Sequence, residues 1–164
     1  MATTGYAVVG SVVGAGLVAG DTLLYFYYVA GNTVTAKIRS IFLNLTGGSF
    51  HDYRLIRLSA ESGVPGGTVP TIEKLSGRAA DPSALYVARV DPTNLPTHDA
   101  NIPGLFAMNT SVAFPGSPTW LEFPPPLDLI MRSNVSPRGI EVQSDVAQVS
   151  GDTSRVSVLW TETT

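Results

Sequence analysis

The sequence predicts an all-β chain: an antiparallel β-sandwich of jelly-roll or Greek-key type with an extended N-terminal arm. Three observations carry that prediction. Apolar and polar residues alternate with a period of two over many short runs, clusters of Gly, Pro, Asn, Asp and Ser separate the runs, and no long helix is apparent between them. Eight or more strands without a helix pack as two antiparallel sheets, with a closed up-and-down barrel as the competing architecture. A chain of 164 residues fits one domain with a sizeable core, read here as a sandwich over 21–164 preceded by an arm or edge strand over 1–20.

Ala2 to Gly20 carries no charge and contains Val8, Val9, Val12, Val13, Leu17 and Val18, enough apolar length for a membrane span of roughly 20 residues. No Lys or Arg flanks it before Lys37, and its glycines and valines favour extended chain over helix, so no membrane partner is expected. An extended arm offers backbone donors and acceptors to a neighbour, which makes Tyr6, Val9, Val13 and Leu17 candidate partner-binding residues.

Thr22 to Val29 holds four aromatics in succession, Tyr25 to Tyr28, and its apolar character on both faces implies burial on both sides or one face against a partner. After Gly31-Asn32, the residues Val34, Ala36 and Ile38 alternate with polar ones, then the phase flips to Ile41, Leu43 and Leu45. One extra residue does this, so a bulge or bend is expected near Ser40. Tyr53 to Leu58 reads as a strand, Thr71 to Leu75 as one short helical turn, and Ala84 to Val90 as a strand between two Asp-Pro turns.

From Pro92 to Pro126 lie eight of the twelve prolines, which confines that region to loop with short strands at Phe106 to Phe114 and Thr119 to Phe123. Long loops in compact domains are usually functional, so Pro103, Phe106, Phe114 and Trp120 join the candidate contacts. The last third has the cleanest pattern: Leu129 and Met131, then Ile140 and Val142, then Val156, Val158 and Trp160 each mark one apolar face. Trp160 is expected in the core.

Composition excludes several classes. Charged residues are 14% of the chain, well below the roughly 25% usual for soluble domains, so much of the surface is neutral or covered by other protein. The net charge is −3 and the ten Lys and Arg are scattered, leaving no basic stripe for nucleic acid. With no cysteine there are no disulfides, thiolate metal sites or cysteine nucleophiles.

The chemistry-bearing motifs are thin. Gly14, Gly16 and Ala19 form a Gly-x-Gly-x-x-Ala, but no helix follows, and the position that should carry an acid to hold a ribose falls on Lys37 and Arg39. His51 and His98, each followed by Asp, are expected as solvated loop residues, and no Gly-x-Ser-x-Gly elbow accompanies them. No metal-ligand spacing appears, although loop oxygens between Asp91 and Asp99 leave room for calcium, whose backbone ligands a sequence does not display. Glu122 between Trp120 and Phe123 is what a sugar platform requires, yet the two aromatics read more simply as core residues of a short strand. No catalytic residue, cofactor or metal is expected, and the chain does not read as an enzyme.

A resemblance enters on particular stretches. Tyr53-Arg54-Leu55-Ile56-Arg57-Leu58-Ser59-Ala60-Glu61-Ser62-Gly63, Gly66-Gly67-Thr68, Ile72-Glu73-Lys74-Leu75 and Asp81-Pro82-Ser83-Ala84-Leu85-Tyr86-Val87 follow in an order similar to that of small virion proteins of tailed bacteriophages. The ending resembles theirs too, through Leu129-Ile130-Met131-Arg132, Arg138-Gly139-Ile140-Glu141-Val142 and Val156-Ser157-Val158-Leu159-Trp160-Thr161-Glu162. The resemblance covers roughly Phe50 to Glu162 and is one of pattern; the glycine-rich start and proline-rich middle do not match closely. It implies a jelly-roll-like capsid decoration or cement protein, assembled in the bacterial cytoplasm. Its implied partners are the major capsid protein and copies of itself, as a homotrimer. The competing reading is a tail or fibre module that recognises host carbohydrate through Trp120, Tyr53 or the tyrosines between 25 and 28.

Overall fold

The computed structural model describes residues 3–14, 16–28, 35–47, 51–60, 66–75, 86–94, 97–98, 106–110, 119–123, 129–132 and 138–163. Among these residues the chain is all strand and connection, without a helix. The strands are β1 (Thr3–Val13), β2 (Thr22–Tyr28), β3 (Thr35–Thr46), β4 (His51–Ala60), β5 (Ile72–Lys74) and β6 (Tyr86–Val90). They continue as β7 (Thr97–His98), β8 (Phe106–Thr110), β9 (Thr119–Glu122), β10 (Leu129–Arg132), β11 (Gly139–Ser144) and β12 (Thr153–Thr163).

Two antiparallel sheets form a sandwich. The first runs β10-β3-β12-β1-β5 with β9 also on β3, and the second runs β6-β2-β11-β4-β7 with β8 also on β4. The pairing is nested: β1 meets β12, β2 meets β11, β3 meets β10 and β9, and β4 meets β8 and β7. Because β1 to β4 alternate between the sheets, this doubled chain wraps around one core.

The core follows the period-two pattern. Leu129 and Met131, Ile140 and Val142, and Val156, Val158 and Trp160 all point inward and are buried. Trp160, only 1% exposed, sits between the layers, stacked on Tyr6 at 5.6 Å between ring centroids and tilted against Phe26 at 4.4 Å. The phase flip in β3 is a bulge: Leu159 faces Ser40 and Trp160 faces Ile38, leaving Arg39 as the extra residue, and Ser40 and Ile41 are both buried.

Polar networks close the sandwich at the two ends of β12. At one end the Tyr53 hydroxyl donates to Ser154 Oγ (2.5 Å), Ser154 donates to Gln148 Oε1 (2.9 Å), and Gln148 Nε2 donates to the carbonyls of Val12 (3.1 Å) and Asp152 (3.0 Å). At the other end the Tyr28 hydroxyl donates to Glu162 at 3.1 Å. Burial pushes the Glu162 carboxyl above its ordinary value of 4.5, with Tyr28, Lys74 and Tyr6 acting the other way. Burial and the Glu162 charge push the Tyr28 phenol strongly upward.

One expectation is narrowed and one corrected. Of the arm or edge strand read over 1–20, the structure holds the strand: β1 pairs with β12 from Thr3 to Val13, and its inner residues Tyr6, Val8 and Val12, with Leu17 beyond it, belong to the core. Glycines and valines do give extended chain there, and its apolar inner face finds its partner within the molecule. Thr71 to Leu75 is not a helical turn but carries β5, which pairs with Tyr6–Val8; the Leu75 N–H donates to the Gly5 carbonyl at 2.9 Å. A three-residue stretch has too little intrinsic preference to resist an available sheet edge. The Gly14 segment leaves β1 in a turn with φ of 73°, and no helix follows it. Among the described residues, no helix is long and apolar enough to cross a membrane.

Candidate contact surface

Alternation along β1 turns Val9, Ser11 and Val13 to the outer face of the first sheet, and all three are exposed. The strand registers then build a row across four strands: Val9 faces Ser157 of β12, Ser157 faces Phe42 of β3, and Phe42 faces Trp120 of β9. In β9, Leu121 turns inward onto the core while Trp120 turns outward, its ring edge-on to Phe42 at 5.5 Å and 79°. Val9 is 54% exposed, Val13 72% and Trp120 55%. Ala7 and Leu159 adjoin the row, while Lys37, Arg39, Arg155 and Glu122 stand around it. The centre of the face is therefore neutral and apolar, with charge at its margin, which is the layout of a protein contact.

The outer face of the second sheet is built differently. Tyr25 and Tyr27 of β2 point away from the main core yet are buried in a second cluster with Leu58, against which Val87 packs. The Arg138 guanidinium lies 4.9 Å from the centre of the Tyr27 ring. Glu141 is fully buried among them. Its Oε1 accepts from the Thr22 hydroxyl at 2.6 Å and from Gln143 Nε2 at 3.5 Å, and its Oε2 meets His98 Nε2 at 2.8 Å. His98 is thus an exposed residue tied to a buried carboxylate, which corrects its reading as a merely solvated loop residue. The order hydroxyl, carboxylate, imidazole does not build a nucleophile, because a serine-type relay needs the imidazole, not the carboxylate, on the hydroxyl.

Of the residues singled out by sequence, Val9, Val13 and Trp120 come together on the first sheet's outer face. Tyr6 and Leu17 are core residues and cannot meet a partner. Phe106 lies in β8 opposite Leu55, with its side chain outside the described residues, as are Pro103 and Phe114. Trp120 is exposed, which suits its reading as a contact and not its reading as core, whereas Phe123 is buried as expected. Tyr53 and the tyrosines between 25 and 28 are all buried, so they offer no platform for a sugar. Phe42 was missed, although the phase after the Ser40 bulge already sets it opposite Ile41 and Leu43. Among the described residues no group of three or more His, Cys, Asp or Glu converges to hold a metal ion. Asp91, with φ of 48°, has its carboxyl raised by burial and, secondarily, by the charge of Asp21.

No family model matches the chain, and no curated protein matches it. Among solved structures it is similar to a chain of the cryo-electron microscopy structure of Mud Crab Dicistrovirus, at 14% identity and a TM-score of 0.21. The match covers 96% of this chain, which spans 64% of the length of that one. A likeness of that size bears on neither fold nor function.

Proposed function

We propose that this chain is a structural protein of a tailed-bacteriophage virion that decorates the capsid and cements it by binding the assembled lattice. The observation that carries the reading is the outer face of the first sheet, where Val9 and Trp120 lie exposed on a neutral row and Val13 lies exposed beyond Ser11 and Arg155. We read the nested strand order as a jelly roll, in keeping with the sequence resemblance to small phage virion proteins. The mechanism needs no chemistry. A protein that binds only the mature lattice stabilises that state by mass action, and symmetry multiplies each weak contact. Its partners are the major capsid protein and copies of itself, the chain joins the virion in the bacterial cytoplasm, and it is not an enzyme.

The exposed Trp120 indole also favours a second reading, a tail or fibre module that stacks host carbohydrate on that ring. Copy number per purified source virion, measured by quantitative mass spectrometry against the major capsid protein, separates the two. A ratio commensurate with the capsid lattice is expected for decoration. A few copies per particle, with glycan binding lost in Trp120→Ala, would replace it with the receptor reading, and absence from the particle would end both.

A further inference from the structure

Among the described residues, the ladder of β1 is complete on one side only. β12 pairs with it from Thr3 to Val13, whereas β5 pairs with Tyr6–Val8. Before β5 the chain leaves that ladder, and Thr68 instead exchanges backbone hydrogen bonds with Val90 of β6 at 2.9 and 2.8 Å. In an antiparallel ladder, alternate residues send both backbone groups to the same side. The Gly5 carbonyl points to β5, where it accepts from Leu75, and the Gly14 N–H points to Asp152 on the β12 side at 2.8 Å. Alternation therefore aims the backbone of Val9, Ser11 and Val13 away from β12, and among the described residues no strand pairs with them.

This edge is unguarded. Val9-Gly10-Ser11-Val12-Val13 contains no Lys, Pro or charge, and its register with β12 has no bulge. Natural sheets use those devices to keep an exposed edge from pairing. The segment is also self-complementary. Laid antiparallel on itself about Ser11, it sets Ser11 against Ser11, Val9 against Val13, and Gly10, which has no side chain, against Val12. Valine pairs are favourable across strands, and no like charges meet. The ends match as well: Gly14 turns the chain out of the strand where the facing copy's β5 begins.

We propose that this edge pairs with the same edge of a second copy, antiparallel, about a twofold axis through Ser11. The contact is isologous, joins the first sheets of two copies into one continuous sheet, and brings their Val9 and Val13 rows side by side. It is a property of the chain itself and stands whether or not the chain decorates a capsid.

The test is the solution mass of the full chain by sedimentation equilibrium, for wild type, Ser11→Lys and Ser11→Glu. The Ser11 side chain is exposed, so both variants should keep the wild-type circular dichroism; because Ser11 faces Arg155 of β12, the thermal midpoint should fall slightly for Ser11→Lys and rise slightly for Ser11→Glu. Wild type is expected at twice the 17.3 kDa chain mass. Each variant, which sets two like charges face to face, is expected at the single-chain mass, and an equimolar mixture of the two should recover the double mass because opposite charges then meet. A monomeric wild type, an assembly that Ser11→Lys leaves intact, or variants that stay monomeric when mixed would each overturn the proposal.

Discussion

On the second sheet, Tyr25, Tyr27 and Leu58 point away from the main core and are nonetheless buried, whereas on the first sheet Val9, Val13 and Trp120 point outward and stay exposed. Both faces begin with apolar residues on strands whose other side already faces the core. The difference is what covers them. The second face is closed within the chain, by Val87, by the Arg138 guanidinium and by His98, whose hydrogen bond helps satisfy the buried Glu141. Among the described residues the first face has no buried carboxylate to match Glu141, and its aromatic pair leaves Phe42 partly exposed and Trp120 open to solvent. Apolar residues on both faces of a strand thus announce burial but do not say whether the cover is internal.

The largest effect separates the two sides of β1 itself. Deleting residues 1–20 removes a strand paired from Thr3 to Val13 together with the inward Tyr6, Val8, Val12 and Leu17, so the cooperative thermal transition should be lost. A truncation that melts like the full chain would return β1 to the status of an arm. Next comes the covered face: Leu58→Ala should cost roughly 2–5 kcal/mol in urea unfolding, as a core truncation does. A cost under about 0.5 kcal/mol, the surface range, would mean that this outer face is not core.

A smaller effect probes the interior that both sheets share. The Glu162 pKa is raised in the folded state, so its contribution to stability is full below about pH 4.5 and is lost as pH rises through the folded value. Glu162→Gln keeps the neutral form, so its stability relative to wild type should climb between pH 4 and pH 7 in parallel denaturant titrations, about where a raised carboxyl titrates. A flat difference would contradict that shift. The smallest expected change is on the open face, where Trp120→Ala should alter stability by no more than about 0.5 kcal/mol. A larger loss would show that the ring is held as core.

Much of this was legible in the sequence, for a physical reason. Period-two alternation reports which side of a strand meets the core, so Ile140, Val142, Val156, Val158 and Trp160 were placed correctly, and the broken phase at Ser40 located the Arg39 bulge. What alternation does not report is the neighbour. Thr3 faces Thr163 across the whole chain, and nothing local in the Gly- and Val-rich start says so. The Glu141 and His98 contact joins residues 43 positions apart, and a three-residue strand such as β5 has no period to read. Trp120 reads in the sequence both as a contact and as core, because a short strand at a sheet margin turns one of its two aromatics outward, and only the register with Phe42 decides which.

The most direct measurement compares hydroxyl-radical oxidation of the free protein with that of the protein in purified source virions. Decoration through the first sheet predicts strong protection of Trp120, Val9 and Val13 on the particle, with Tyr25 and Tyr27 scarcely oxidised in either state. Trp120 oxidised equally in both would contradict the assignment of that face as the contact surface.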